Sequence, residues 1–242
     1  MSRDPAVTLA VTLLIVPPPS EADSDLSLLD PGERARAARF TVEHPRRVFI
    51  TARTALRLAL GERLGRNPTS LAFVLGPHGK PKLKPAGETS TSTIQAHFNL
   101  SHSGNTIVIA LTEGVELGVD VEELDRDTPT ERLARRFFTQ AEASAVEKAQ
   151  EKDRNRVFFH CWTAKEAVLK ATGSGLTVPV REVEVDPDPD APPRLLALGG
   201  DVTEAGRWTL LRHEVPGRWI ATVAYRGEAR ALVVKHSLPV RG

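Results

Sequence analysis

Trp162-Thr163-Ala164-Lys165-Glu166-Ala167-Val168-Leu169-Lys170-Ala171 and, about forty residues earlier, Gly118-Val119-Asp120-Val121-Glu122 decide how this chain is read. The β-branched run Val115–Glu122 predicts a strand, so Asp120 and Glu122, two apart, point from one face. From Phe158 to Ala171 the pattern predicts a helix: Phe158, Cys161, Trp162, Val168 and Leu169 form a buried stripe and Gly173 follows its end. Glu166 and Lys170, four apart, then share one helix face. If the helix crosses the strand, Asp120, Glu122 and Glu166 converge beside Lys170. Oxygen donors with no nearby Cys or His suit magnesium better than zinc, and magnesium so held keeps positions open for substrate phosphates. Taken alone, each motif favours a structural reading over a catalytic one, since a D-x-E strand is common and a Glu-Lys pair four apart is ordinary helix-surface electrostatics. What favours a site is that these charges interrupt otherwise apolar elements, where unpaired charge is costly.

Asn99-Leu100-Ser101-His102-Ser103, Gly118-Val119-Asp120-Val121-Glu122, Arg136-Phe137-Phe138 and Trp162 to Lys170 follow one another in an order that resembles the Sfp-type 4'-phosphopantetheinyl transferases. The resemblance runs from about Phe40 to about Tyr225. It implies transfer of the phosphopantetheine arm of coenzyme A to a serine of an acyl or peptidyl carrier protein, with release of 3',5'-ADP. It also implies magnesium on Asp120, Glu122 and Glu166, with Lys170 on the pyrophosphate and Glu166 as ligand, general base or both. Ser101 and His102 would contact coenzyme A, and Gly79-Lys80-Pro81 would border its nucleotide, although a plain surface turn explains that tripeptide too. Arg47, or one of its rivals Arg36, Arg46 and Arg53, takes the position near the 3'-phosphate. Arg135-Arg136-Phe137-Phe138 resembles a carrier-facing segment, with a core role for the phenylalanines as the alternative. Family members often carry lysines where this chain has Arg34, Arg36 and Arg39.

Composition narrows the class. With 242 residues, 40% hydrophobic and 26% charged, the chain reads as globular. A net charge of +1 argues against a general nucleic-acid or membrane binder. Cys161 is the only cysteine, so neither an intrachain disulfide nor a cysteine zinc cluster is available, and its place on the apolar stripe predicts a buried thiol. Val7–Val16 is too short to span a bilayer; Arg3 ahead of it makes a secretory signal the rival reading, but its alternation points to a first strand in a cytoplasmic protein.

Asp30-Pro31-Gly32-Glu33 predicts a helix start, and a longer helix follows from about Pro45 to Leu60. Arg46, Arg53 and Arg57 share a side of it, which reads as solvated surface or, in a chain that handles phosphates, as a candidate for anion contact. Further expected strands are Leu71–Leu75, His97–Ser101, Thr106–Thr112, Val180–Val185, a hairpin of Arg207–His213 with Arg218–Tyr225, and an edge strand Ala231–His236; Pro85–Thr93 reads as a loop. Capping boxes place helix starts near residues 129 and 140. Glu113-Gly114 divides the chain into halves 1–113, for the nucleotide, and 114–242, for the metal, pyrophosphate and carrier. The expected fold is α+β, two similar halves each with a small, mostly antiparallel sheet packed with helices, a pseudo-dimer in one monomeric chain with its site in the cleft. Acidic helical carrier domains are the expected partners. The rival reading is a magnesium-dependent nucleotide- or phosphate-binding regulatory module without turnover.

Overall fold

A computed structural model describes residues 9–19, 25–84, 95–173, 178–215 and 217–236. Strand β1 (Ala10–Val16) is followed by helix α1 (Pro31–Ala37) and the 22-residue α2 (Glu43–Leu64). A small hairpin of β2 (Phe73–Leu75) and β3 (Pro81–Leu83) leads to β4 (Ala96–Ser103) and β5 (Thr106–Glu113). Then come β6 (Leu117–Glu123), α3 (Thr130–Phe137), α4 (Gln140–Lys148) and α5 (Glu151–Thr172), again 22 residues. β7 (Val183–Val185), β8 (Leu195–Leu198), α6 (Val202–Ala205), β9 (Trp208–Val215), β10 (Trp219–Arg226) and β11 (Ala231–His236) complete the described chain.

The architecture is the expected α+β one, built as helix, sheet, sheet, helix. The first sheet has the order β11-β1-β5-β4, antiparallel except for β11 on β1, and the second is the antiparallel β6-β10-β9. On one outer face, Leu14, Ile107 and Ile109 pack against Val48, Leu56 and Leu60 of α2. On the other, Ile220 and Ala224 meet Phe158, Ala164 and Val168 of α5. Between the sheets lie Val11, Leu13, Val108, Val119, Val121, Val223 and Tyr225. Each fully buried aliphatic side chain there contributes roughly 1.5–3 kcal/mol. Because both faces of β5 and β10 are covered, they read in the sequence as apolar runs rather than alternations. Each half ends its long helix on a left-handed glycine, Gly65 at φ 61° and Gly173 at φ 67°. β11 crosses back to pair with β1 of the first sheet.

Several boundaries differ from the sequence expectations. α5 starts at Glu151, ahead of Phe158, because its first turns are charged and show no apolar stripe, while Glu151 and Asp153 suit the positive end of the helix dipole. Thr139 and Glu142 form the expected capping box, but α3 starts after Pro129 with no side-chain cap from Thr128. Residues 180–182 form a 3-10 turn, so only Val183–Val185 is strand. β3, β8 and α6 were not expected, being too short to carry a period. Pro85–Thr93, Pro216 and the start of Val7–Val16 lie outside the described residues.

Arg57 overturns the expected arginine side. Its side chain is wholly buried and donates to Glu33 and Asp30, each at 2.7 Å, and to the carbonyls of Pro68 and Leu71, each at 2.9 Å. With its donors engaged it ties α1 to α2 and is closed to an external anion.

Two local devices set the framework of the cleft. Gly118 on β6 lies against the backbone of α5, where an added Cβ would overlap Ala167 O and Ala171 N, so only glycine lets this helix lie so close. Lys80 reaches from the turn between β2 and β3 to Glu116 and to Leu117 O, each at 2.8 Å, and Lys82 joins Glu116 at 2.7 Å. Burial pushes the Glu116 carboxyl up, but the bonds from Lys80 and Lys82 outweigh it and bring it from 4.5 down to about 2.

Gly118→Ala is expected to lower unfolding stability by about 1–3 kcal/mol through overpacking, measured by denaturant titration. A variant as stable as the parent would contradict the close approach. For Glu116 the folded-state value is depressed, so its contribution is complete above the unfolded value near 4.5 and is lost as pH falls toward 2. The denaturation midpoint of Glu116→Gln is therefore expected to fall less steeply across that window than that of the parent.

Candidate active site

β4 and β6 lie side by side, and the contacts described between them are made by side chains. Alternate residues of β4 do the joining. Asn99 Oδ1 accepts from the Val119 N–H at 2.9 Å, Ser101 Oγ donates to Asp120 Oδ1 at 2.9 Å, and Ser103 Oγ donates to Glu122 Oε2 at 2.5 Å. Asp120 and Glu122 thus leave one face of β6, as the strand period requires. Glu123, one residue on, instead accepts from Asn105 N and Thr106 Oγ1. Across β6, α5 delivers Lys170, whose Nζ donates to Asp120 Oδ1 at 2.6 Å and to Ser101 Oγ at 3.0 Å.

The charges do not balance within this group. Asp120 Oδ2 is buried and without a hydrogen-bond partner. Glu166 makes no hydrogen bond or ion pair among the described residues. Burial first, then the Asp120 charge, pushes its carboxyl above the ordinary glutamate range, against Lys170. Burial likewise raises Glu122 in spite of the Ser103 bond, with Asp120 adding to the rise. Glu122 and Glu166, each raised by the Asp120 charge as well as by burial, and Asp120 with its orphaned buried oxygen form a donor set that suits a hard divalent cation. No group of three His, Cys, Asp or Glu among the described residues already stands in a ligating arrangement. Asp120 Oδ1 is held by Lys170 and Ser101, and Glu122 Oε2 by Ser103 and Arg126.

A cavity of about 270 Å³ opens beside this cluster, lined by Glu166 and Lys170 on one side and by Asn99, Gly79 and Lys80 on the other. The sequence-predicted residues divide accordingly. Gly79, Lys80, Glu166 and Lys170 share this wall, whereas Asp120, Glu122 and Ser101 stand behind it in the seam. His102 is exposed on the opposite side of β4 from Ser101; partial burial, then the Lys170 charge, holds its imidazole below the usual range and hence neutral near pH 7. Pro81 lines a second cavity of about 310 Å³ together with Arg36, Arg39, Arg53 and Phe49. Arg47 and Arg46 instead pair with Glu43 in the first turns of α2, at 3.4 and 3.2 Å.

Lys165, beside Glu166 in sequence, turns away as the helical angle requires. It is fully buried, pairs with Glu142 at 2.8 Å and donates to the Val183 carbonyl. Cys161 is buried, and burial first pushes its thiol far above the usual range, which removes it as a nucleophile. Phe138 is core and stacks on Phe158, while Phe137 is partly exposed under the Arg136 guanidinium. Sequence reasoning assigned no role to Asn99, Ser103, Gly118 or Arg126. The alternation of Asn99, Ser101 and Ser103 was a usable signal for a polar strand edge; the position of Arg126 carried none.

Known proteins bear on this geometry directly. A family model described as the 4'-phosphopantetheinyl transferase superfamily matches residues 116–224, and one described as 4'-phosphopantetheinyl transferase, N-terminal, matches residues 16–114. The 4'-phosphopantetheinyl transferase HetI of Nostoc sp. is 34% identical over 210 residues, 87% of this chain and 84% of HetI. The protein slr0495 of Synechocystis sp., named provisionally as the same transferase, is 37% identical over 160 residues, 66% of this chain and 63% of its own, under two thirds of that relative. The 4'-phosphopantetheinyl transferase Sfp of Bacillus subtilis is 25% identical over 165 residues, 68% of this chain and 69% of Sfp. With consecutive models matching its two halves and one such relative aligned along most of its length, the chain belongs to the 4'-phosphopantetheinyl transferase superfamily, a class of enzymes that transfer phosphopantetheine.

Proposed function

We propose that this chain is an Sfp-type enzyme that moves the 4'-phosphopantetheine arm of coenzyme A onto a serine of an acyl or peptidyl carrier protein and releases 3',5'-ADP. The observation that carries the reading is that Lys170, which shares one cavity wall with Glu166, donates to Asp120, whose second, buried oxygen has no hydrogen-bond partner among the described residues. Phosphoryl transfer asks an enzyme mainly for position and charge. Asp120, Glu122 and Glu166 are the residues that would hold magnesium, which when bound supplies charge neutralisation on the diphosphate. Lys170 donates to the diphosphate oxygens. Glu166 serves as a ligand, as the base that accepts the proton of the carrier serine while that oxygen attacks the phosphorus of the pantetheine arm, or as both. The bond to the adenosine-side phosphate oxygen breaks, and the nucleotide leaves with the electron pair.

Coenzyme A fits this reading with its nucleotide over the Gly79-Lys80-Pro81 turn, which separates the two cavities, and its 3'-phosphate on Arg47 or one of its rivals, of which Arg36 and Arg53 line the second cavity. Ser101 orients Lys170 and Asp120, and His102 offers a neutral donor to phosphate. In this reading residues 1–113 carry the nucleotide and 114–242 the metal and carrier, with β11 lent back to the first sheet. One chain then supplies both sides of the cleft, which supports a monomer. The near-neutral net charge argues against nucleic-acid and membrane partners, and the first apolar run, a strand over Ala10–Val16, supports a cytoplasmic enzyme over a secreted one. Arg135 and Arg136 are exposed on α3, a surface suited to an acidic helical carrier.

An apo carrier incubated with enzyme, coenzyme A and magnesium chloride is expected to gain the mass of one phosphopantetheine. Asp120→Ala and Lys170→Ala are expected to slow this by about a hundredfold or more. Coenzyme A binding with no mass gain on any carrier of a panel would favour the regulatory-module reading instead. Glu166→Gln is expected to be similarly slow, yet in the absence of divalent cation to be more stable than the parent by roughly 0.5–1 kcal/mol, since it removes an unbalanced carboxylate. Equal or lower stability in urea would contradict the repulsion assigned to Glu166.

A further inference from the structure

Glu122 is held by two groups of opposite consequence. Ser103 is buried, and its hydroxyl is fully used: it donates to Glu122 Oε2 at 2.5 Å and accepts from Glu123 N and Arg126 Nη1, each at 3.2 Å. Such a hydroxyl cannot rotate without losing bonds, so it fixes the carboxylate. Arg126, in the turn after β6, reaches the same oxygen at 2.5 Å with a side chain that is 50% exposed. Its backbone is pinned, because Asn155 Nδ2 of α5 donates to the carbonyls of Leu124 and Arg126 at 2.9 and 3.0 Å. The guanidinium can therefore swing into solvent without moving the strand.

We propose that Arg126 is a resident counter-cation of the acidic cluster, one that a divalent cation must displace from Glu122, while Ser103 is a positioning residue that keeps Glu122 in place for that cation. The inference rests on the reading of Asp120, Glu122 and Glu166 as the cation site. An exposed ion pair of this kind is weak, which makes it displaceable. The guanidinium nonetheless neutralises one of three mutually repelling carboxylates in the metal-free enzyme, and it opposes an incoming divalent charge. Ser103 carries no charge and acts only on orientation. Removing the two side chains should therefore move cation affinity in opposite directions, which simple loss of structure cannot do.

Manganese is the probe, titrated at fixed ionic strength and followed by electron paramagnetic resonance of the free ion, with magnesium chloride as competitor. Arg126→Gln is expected to lower the manganese Kd about three- to tenfold. Arg126→Lys, which keeps the charge, is expected to stay within about twofold of the parent by the same reasoning. Ser103→Ala is expected to raise the Kd about tenfold, as loss of a group that orients a metal ligand does. Thermal midpoints taken with and without manganese add a second readout: Arg126→Gln should be less stable than the parent without the ion and gain more from it. An Arg126→Gln protein that binds manganese no tighter than the parent overturns the counter-cation role, and unchanged affinity in Ser103→Ala overturns the positioning role. A parent protein that binds no manganese at all overturns the cation site itself, a separate failure.

Discussion

The close approach of α5 to β6, possible because Gly118 has no side chain, is the constraint on which the site depends. Asp120 and Glu122 are fixed to β6, Glu166 and Lys170 to α5, and the distance between the two pairs is the spacing of helix and strand. A helix held further out would leave Lys170 short of Asp120. The apolar layers do the rest: one covers the outer side of each sheet and a third fills the space between, so the two elements cannot slide.

The second requirement is register between the halves. Asn99, Ser101 and Ser103 bond in order to Val119, Asp120 and Glu122, so β4 of the first sheet sets the position of the acidic strand β6 of the second. A shift of one residue would turn every one of these side chains to the wrong face. The polar motif of β4 makes two connections at once: the same hydroxyl of Ser101 that joins the sheets also receives Lys170.

The strand and helix that carry the acidic residues were legible because each has a clean period and a terminal signal, Gly173 above all. So was the α+β class, from the grouping of strands and helices. Arg57 was misread because helical period alone cannot tell a solvated arginine from one buried against Asp30 and Glu33, which come from another element. The role of Gly118 could not be read, since it exists only once α5 is in place. Lys80 shows a further limit: the motif around it was visible, but not that its charge is spent on Glu116. Short elements such as β3 and β8 rest on pairing partners and leave little trace in composition.

The central claim is that Asp120, Glu122 and Glu166, far apart in the chain, share one cation with a bound diphosphate under Lys170. A crystal grown with coenzyme A and manganese tests it most directly, through the anomalous scattering of the metal. The account predicts a single strong peak among the oxygens of those three residues and the diphosphate, with Lys170 Nζ on a phosphate oxygen. A peak bound elsewhere, or a diphosphate lying away from Lys170, would contradict it.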